Sequence, residues 1–161
     1  MRLILALTLA LPLALIAAPA TARDSLGVFG EWGAFRDADV PRCYAIAAAT
    51  GAGSQGYASV GNWPGEQVRG QVHFRLSRAL RAGANARLTI GGNSWSLTSR
   101  ASDAWAANRQ ADAAIVAAMR SASTMQVSGR DRQGRAFTDR YSLDGAATAL
   151  DAASVGCARN S

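Results

Sequence analysis

Val68-Arg69-Gly70-Gln71-Val72-His73-Phe74-Arg75-Leu76 is the stretch whose reading decides the fold. Val68, Val72, Phe74 and Leu76 share one parity, while Arg69, Gln71, His73 and Arg75 share the other. That period of two is a strand with one face in a core and one in water. Downstream, Arg87-Leu88-Thr89-Ile90 and Ser94-Trp95-Ser96-Leu97 repeat the alternation around Gly91-Gly92-Asn93, a composition that supplies the positive φ angles of a tight hairpin. Upstream, 28–35, 42–49 and 57–63 read as further strands, the last stopped by Pro64-Gly65. The first two carry apolar residues at both parities, as strands covered on both faces do.

After residue 107 the period changes. Ala111, Ala114, Ile115, Ala118, Met119 and Ala122 fall on one stripe of a helix over 108–122, with Asn108 as its cap and Asp112 on the other face. Two strands, 125–129 and 135–143, follow as a hairpin through Asp131-Arg132-Gln133-Gly134, and a last helix over 146–154 points Ala146, Leu150 and Ala153 one way. Cys157 continues that stripe and is expected on the buried side. Six strands, a helix, two strands and a helix predict a mainly β fold with two helices, an antiparallel β-sandwich or rolled sheet with the helices packed on it.

The first residues set the compartment. Met1-Arg2 is a short positive start, 3–18 is an almost unbroken apolar run, and Ala20-Thr21-Ala22 offers the small residues that a signal peptidase reads. A run of about 16 residues broken by a proline is shorter than the roughly 20 that a spanning helix needs. The expectation is a cleaved signal peptide, 1–22, and a single exported domain, 23–161, in the periplasm or secreted, with no transmembrane segment after cleavage. The chain carries a formal charge of +6 and no lysine. Such basicity suits nucleic acid, but export removes that partner and leaves an envelope or host protein, or an anionic lipid or glycan.

Cys43 and Cys157 are the only cysteines. An even pair in an exported chain predicts a disulfide, here tying strand 42–49 to the C-terminal end. One histidine and no local Cys/His cluster leave a zinc site short of ligands, so neither a metal nor a cofactor is expected.

Gly51-Ala52-Gly53-Ser54-Gln55-Gly56 matches G-x-G-x-x-G, but a strand-like Tyr57-Ala58-Ser59-Val60 follows it where a dinucleotide site needs a helix, and no acid stands at the ribose position. His73 is the only imidazole that a nucleophilic device could use, yet no G-x-S-x-G elbow accompanies it. Asp37, Asp39, Asp131, Asp139, Asp144 and Asp151 fall where turns and helix starts are expected, which suits capping better than paired acid-base work. The four tryptophans, 32, 63, 95 and 105, read mostly as packing. Basicity made of arginine alone suits carboxylate or phosphate recognition, and Arg69, His73 and Arg75 on the wet face of strand 68–76 form the candidate anion-binding face.

A family pattern also emerges. Asp112-Ala113-Ala114-Ile115-Val116-Ala117-Ala118-Met119-Arg120, then Met125-Gln126-Val127, Gly134, Phe137 and Tyr141-Ser142-Leu143-Asp144-Gly145-Ala146-Ala147-Thr148-Ala149-Leu150 resemble the C-terminal part of the invasion-associated locus B family. Phe29-Gly30-Glu31-Trp32 is similar to that family's aromatic opening. The resemblance implies a small exported protein of alphaproteobacterial type, with a helix, a hairpin, a strand ending in Ser-Leu-x-Gly and a closing Ala/Leu helix, and it implies no catalytic residues. The chain departs from the family pattern in having no cysteine at 33–36 or 102–112 and in placing Cys157 beyond the usual end.

The expected function is therefore a non-enzymatic binding or envelope-associated protein. The alternatives are a cell-wall or glycan hydrolase, which would need a deep pocket where His73 or two carboxylates converge, and an anionic-surface module using Arg69, His73 and Arg75.

Overall fold

The computed structural model describes residues 23–37, 39–51 and 55–158; the expected signal peptide, 1–22, and residues 52–54 of the G-x-G-x-x-G stretch lie outside them. Among the described residues the order is β1 (Arg23–Phe29), β2 (Trp32–Asp37), β3 (Arg42–Ala48), β4 (Tyr57–Trp63), β5 (Val68–Arg75), β6 (Arg87–Ile90), β7 (Asn93–Ser96), β8 (Thr98–Arg100), β9 (Asp103–Trp105), α1 (Arg109–Met119), β10 (Thr124–Arg130), β11 (Ala136–Ser142) and α2 (Ala146–Ala158). The strands form two antiparallel sheets, a seven-stranded one ordered β1-β2-β3-β4-β5-β9-β8 and a four-stranded one ordered β11-β10-β6-β7. The fold is mainly β with two helices, as expected.

Some of the strands differ from the sequence reading. Stretch 28–35 is not one strand: Gly30, at φ 52, turns the chain between β1 and β2, and its mixed parity came from reading a hairpin end as a continuous run. Strands β8 and β9 are three residues each and turn on Ala101, a non-glycine at φ 54, so they carry too few residues to show a period. The hairpin at Gly91-Gly92 forms as expected, with both glycines at positive φ and Ile90 opposite Asn93.

Burial follows chemistry. One face of the large sheet buries Trp32, Ala34, Cys43, Ala45, Val60, Val72 and Phe74. Helix α2 lies across β1 to β4 and meets that face with Ala146, Ala149, Leu150, Ala153 and Cys157. Small side chains on both sides let helix and sheet approach closely, so that a Cβ on Gly156 would stand 2.5 Å from Leu26 Cδ1. Helix α1 packs on β5 and β6 and buries Asp112, Ile115 and Met119. Asp112, expected on the wet face, thus joins the buried stripe. It does so because its Oδ1 accepts the Val72 N–H at 2.8 Å, a backbone donor that burial would otherwise leave unmet. Asn108 caps the helix as read, its Oδ1 accepting the Ala111 N–H at 2.9 Å.

The cysteines are joined: Cys43 on β3 and Cys157 in the last turn of α2 form a disulfide with their Cα atoms 5.7 Å apart. It fastens α2 to the middle of the large sheet. No helix among the described residues is long and apolar enough to cross a membrane.

Candidate functional site

A bulge in β5 builds the site. Val68 stands opposite Trp63 and Gln71 opposite Gly61, so β5 carries one more residue than β4 between those pairs. The surplus falls at Arg69-Gly70, where Gly70 takes φ 66 and gives its N–H to Asn62 Oδ1 at 2.9 Å. A bulge interrupts the alternation of faces and re-aims the side chain beside it. Arg69 therefore leaves the face of His73 and Arg75 and lines a cleft walled by both helices, where a Cβ on Gly70 would meet Val116 Cγ2 at 3.9 Å. Of the expected stripe, Arg69 borders the cleft, whereas His73 and Arg75 do not.

The cleft has a volume of about 1140 Å³, ample for a ligand when set against the roughly 300–1,000 Å³ of common small-molecule sites. Arg109, Ala113 and Val116 reach it from α1, and Ser154, Cys157 and Ala158 from α2. Pro64, Val68, Arg69 and Asn62 supply its sheet side, with Arg36, Asp37 and Arg42 at one end.

Its charges fall into two groups. Arg42 bonds Asp37 Oδ2 at 2.7 Å and lies over the Tyr44 ring at 4.9 Å, while Arg23 reaches Asp37 Oδ1 at 3.2 Å. Burial alone would raise the Asp37 carboxyl, but Arg42 and Arg23 outweigh it and hold that group below the usual carboxylate range. Arg36 is engaged with Asp24. In contrast, the guanidiniums of Arg69 and Arg109 have no partner among the described residues, and the NH2 of Asn62 has none either. Three donor groups thus line one partly apolar cleft with nothing to receive them.

The other face of β5 is a closed polar network. His73 Nε2 lies 3.0 Å from Asp103 Oδ1, and Arg75 donates to Asp103 Oδ2 at 2.7 Å. The His73 ring sits between those of Tyr57 and Trp105, at 5.8 and 5.2 Å, and Ser59 Oγ is 3.5 Å from Nδ1. Hydroxyl, imidazole and carboxylate meet here as they do in acyl-transfer enzymes. Their setting differs. Ser59 stands mid-strand on β4, opposite Ile46 of β3 and His73 of β5, and not at a turn. None of the three residues lines the cleft.

Two buried carboxylates hold backbone. Buried Asp131 accepts the N–H groups of Gln133 and Arg135 and pairs with Arg78 and Arg135; buried Asp139 accepts the Ser77 N–H at 2.9 Å. No group of three or more His, Cys, Asp or Glu with metal-site geometry occurs among the described residues. Reading the sequence missed Arg109 and Asn62 as site residues. Gly70 inside a strand pattern was the available signal, because an isolated strand glycine marks a bulge.

Fold and site together define a class: a small, disulfide-tied domain of two antiparallel sheets, with two helices packed on it and a cation-lined cleft at their ends. The model of the family described as invasion associated locus B (IalB) protein matches residues 36–154. The chain belongs to the invasion-associated locus B family. Comparison with curated proteins and with solved structures finds no match.

Proposed function

We propose that this chain is an exported binding protein of the cell envelope, working by capture at the cleft and not by turnover. The observation that carries the reading is the cleft itself: unpartnered Arg69, Arg109 and Asn62 donors beside the apolar Val68, Ala113 and Val116. Such a surface holds a partner, and the one carboxylate among its described lining residues, Asp37, is clamped by two arginines and poorly placed to move a proton. The leader-like start of the sequence and its cysteine pair support export.

A photocrosslinking residue at Val68, in the cleft, compared with one at Ala48, exposed on β3 and away from it, tests this in expressing cells. The expected result is a chain in the envelope fraction, starting at Arg23, with a discrete adduct from position 68 only. Adducts of equal yield from both positions, or a chain retained in the cytoplasm, would overturn it.

A second reading, hydrolysis of wall or glycan substrates, is favoured only by the Ser59, His73 and Asp103 contacts. Release of soluble fragments from purified cell wall, lost in Ser59→Ala and in His73→Ala, would establish that reading instead.

A further inference from the structure

We propose that the cleft takes an amphiphilic anion: a phosphate or carboxylate group held by Arg69, Arg109 and the Asn62 amide, with its apolar part on Val68, Ala113 and Val116. This rests on the binding reading above and names the chemistry of what is bound. Guanidinium offers a planar fork that matches both anions, and charge-assisted hydrogen bonds of this kind are roughly twice as strong as neutral ones. The other two arginines of the cleft, Arg36 and Arg42, face carboxylates already, Asp24 and Asp37. A ligand anion therefore has Arg69 and Arg109 left to it, one from the β5 bulge and one from the first residue of α1.

The apolar requirement has a separate basis. Ala113 is exposed and Val116 and Val68 are half-buried, all three bordering the same space as the two guanidiniums. Gly70 presents no side chain, and a Cβ there would meet only Val116 Cγ2. A small inorganic anion would leave that surface wet, whereas an anion with a hydrocarbon chain covers it, at about 25 cal/mol per Å² of apolar area removed from water.

The test uses the oxidised protein isolated from the envelope of expressing cells and titrates four probes. These are dodecyl phosphate below its micelle threshold, dodecyl maltoside, inorganic phosphate, and phosphatidylglycerol vesicles. Dodecyl phosphate is expected to bind at one site, at least about tenfold tighter than either the uncharged amphiphile or inorganic phosphate, a difference of about 1.4 kcal/mol. Arg69→Gln and Arg109→Gln should each weaken it about tenfold, as loss of a charge-assisted bond does. Arg75→Gln, on the other sheet face, should leave it unchanged. Ala113→Phe, which fills the apolar part and keeps both guanidiniums, should weaken dodecyl phosphate and spare inorganic phosphate.

Vesicles that compete with dodecyl phosphate make a lipid headgroup the source of the anion; vesicles that do not compete make it a free amphiphile, and either result sustains the proposal. Equal binding by wild type and the Arg69/Arg109 double variant overturns it, as does equal affinity for dodecyl maltoside. If dodecyl phosphate fails while the crosslink from position 68 persists, the anion is wrong and the binding reading stands. If both fail, the cleft is not a binding site.

Discussion

The indole Nε1 of Trp32 donates to the carbonyl oxygen of Ser142 at 2.9 Å, across 110 residues of chain. Beside it, the Glu31 N–H reaches the Asp144 carbonyl at 3.2 Å. The aromatic opening Phe29-Gly30-Glu31-Trp32 and the Ser142-Leu143-Asp144-Gly145 turn, which read as two separate marks of the family in the sequence, are therefore one contact in space. Trp32 is fully buried. Trp32→Phe removes the donor and leaves a hole, with a cost of about 1–3 kcal/mol for the orphaned carbonyl before any packing loss. Urea unfolding should show a lower midpoint with an unchanged slope; a midpoint equal to wild type would mean that the bond contributes nothing.

Gly145 and Gly134 make a matched pair. Both sit at positive φ, 80 and 79, but a Cβ on Gly145 would stand 1.8 Å from the Phe29 carbonyl oxygen, whereas on Gly134 it would meet nothing within 4 Å. Gly134→Ala should cost only the left-handed backbone term, about 1–2 kcal/mol. Gly145→Ala adds a backbone collision and should fail to fold or melt far lower. Equal losses in thermal melts would sink the steric account.

Asp112 predicts a dependence on side-chain charge. Burial raises its carboxyl above the usual value, and the Val72 N–H pulls it down only in part. A raised folded pKa gives stability that is full at low pH and declines as pH climbs from the unfolded value through the folded one. Asp112→Asn keeps an acceptor for Val72 and never ionises, so at neutral pH it should be at least as stable as wild type and lose that decline. Asp112→Ala strands the Val72 N–H and should cost about 1–3 kcal/mol. Melting temperatures across mildly acidic pH decide; an Asn variant as damaged as the Ala variant refutes the assignment.

Asp131 has the opposite sign. Burial would raise it, but the Arg135 N–H, the Arg135 guanidinium and Arg78 prevail and lower its carboxyl. Its contribution is present above the unfolded carboxylate value and is lost as pH falls through the lowered folded one. Asp131→Asn should therefore destabilise the protein at neutral pH and flatten the acid limb of its stability curve. An acid limb identical to that of wild type would remove Asp131 from the account.

The disulfide spans 114 residues of sequence. For a loop of about 100 residues the chain-entropy model gives roughly 4.7 kcal/mol, against total stabilities of about 5–15 kcal/mol for proteins of this kind. Reduction, or Cys43→Ser with Cys157→Ser, should lower the melting temperature sharply. A shift of only a degree or two would place the stability of α2 in its alanine packing alone.

Much of this architecture is legible in the sequence because its periods are long enough to count. Strand β5, the Gly91-Gly92 hairpin, the capped helix α1 and the thiol stripe of α2 each show a repeat or a punctuating residue. Short elements such as β8 and β9 show none. The site is less legible for a different reason. Counting parity along 68–76 assumes an unbroken ladder, and one extra residue at Arg69-Gly70 breaks the count and leaves Arg69 bordering the cleft. Asp112 escaped because a carboxylate on a helix reads as wet unless the backbone donor awaiting it is known.

The rims of the two sheets carry a consequence for how anything can join this molecule. An open sheet invites a further strand wherever its outermost backbone is long, flat and unpaired. Here β1 is broken by a register shift between Ser25 and Gly27, β8 is three residues long, and β7 is a four-residue strand of Asn, Ser, Trp and Ser. The outer side of β11 is met by Thr50, whose N–H bonds the Arg140 carbonyl at 2.7 Å. Each rim is blunted by its own device, so crowding at high concentration should not zip copies into fibrils, and a visitor has to come to a face or a hollow instead of lengthening a ribbon.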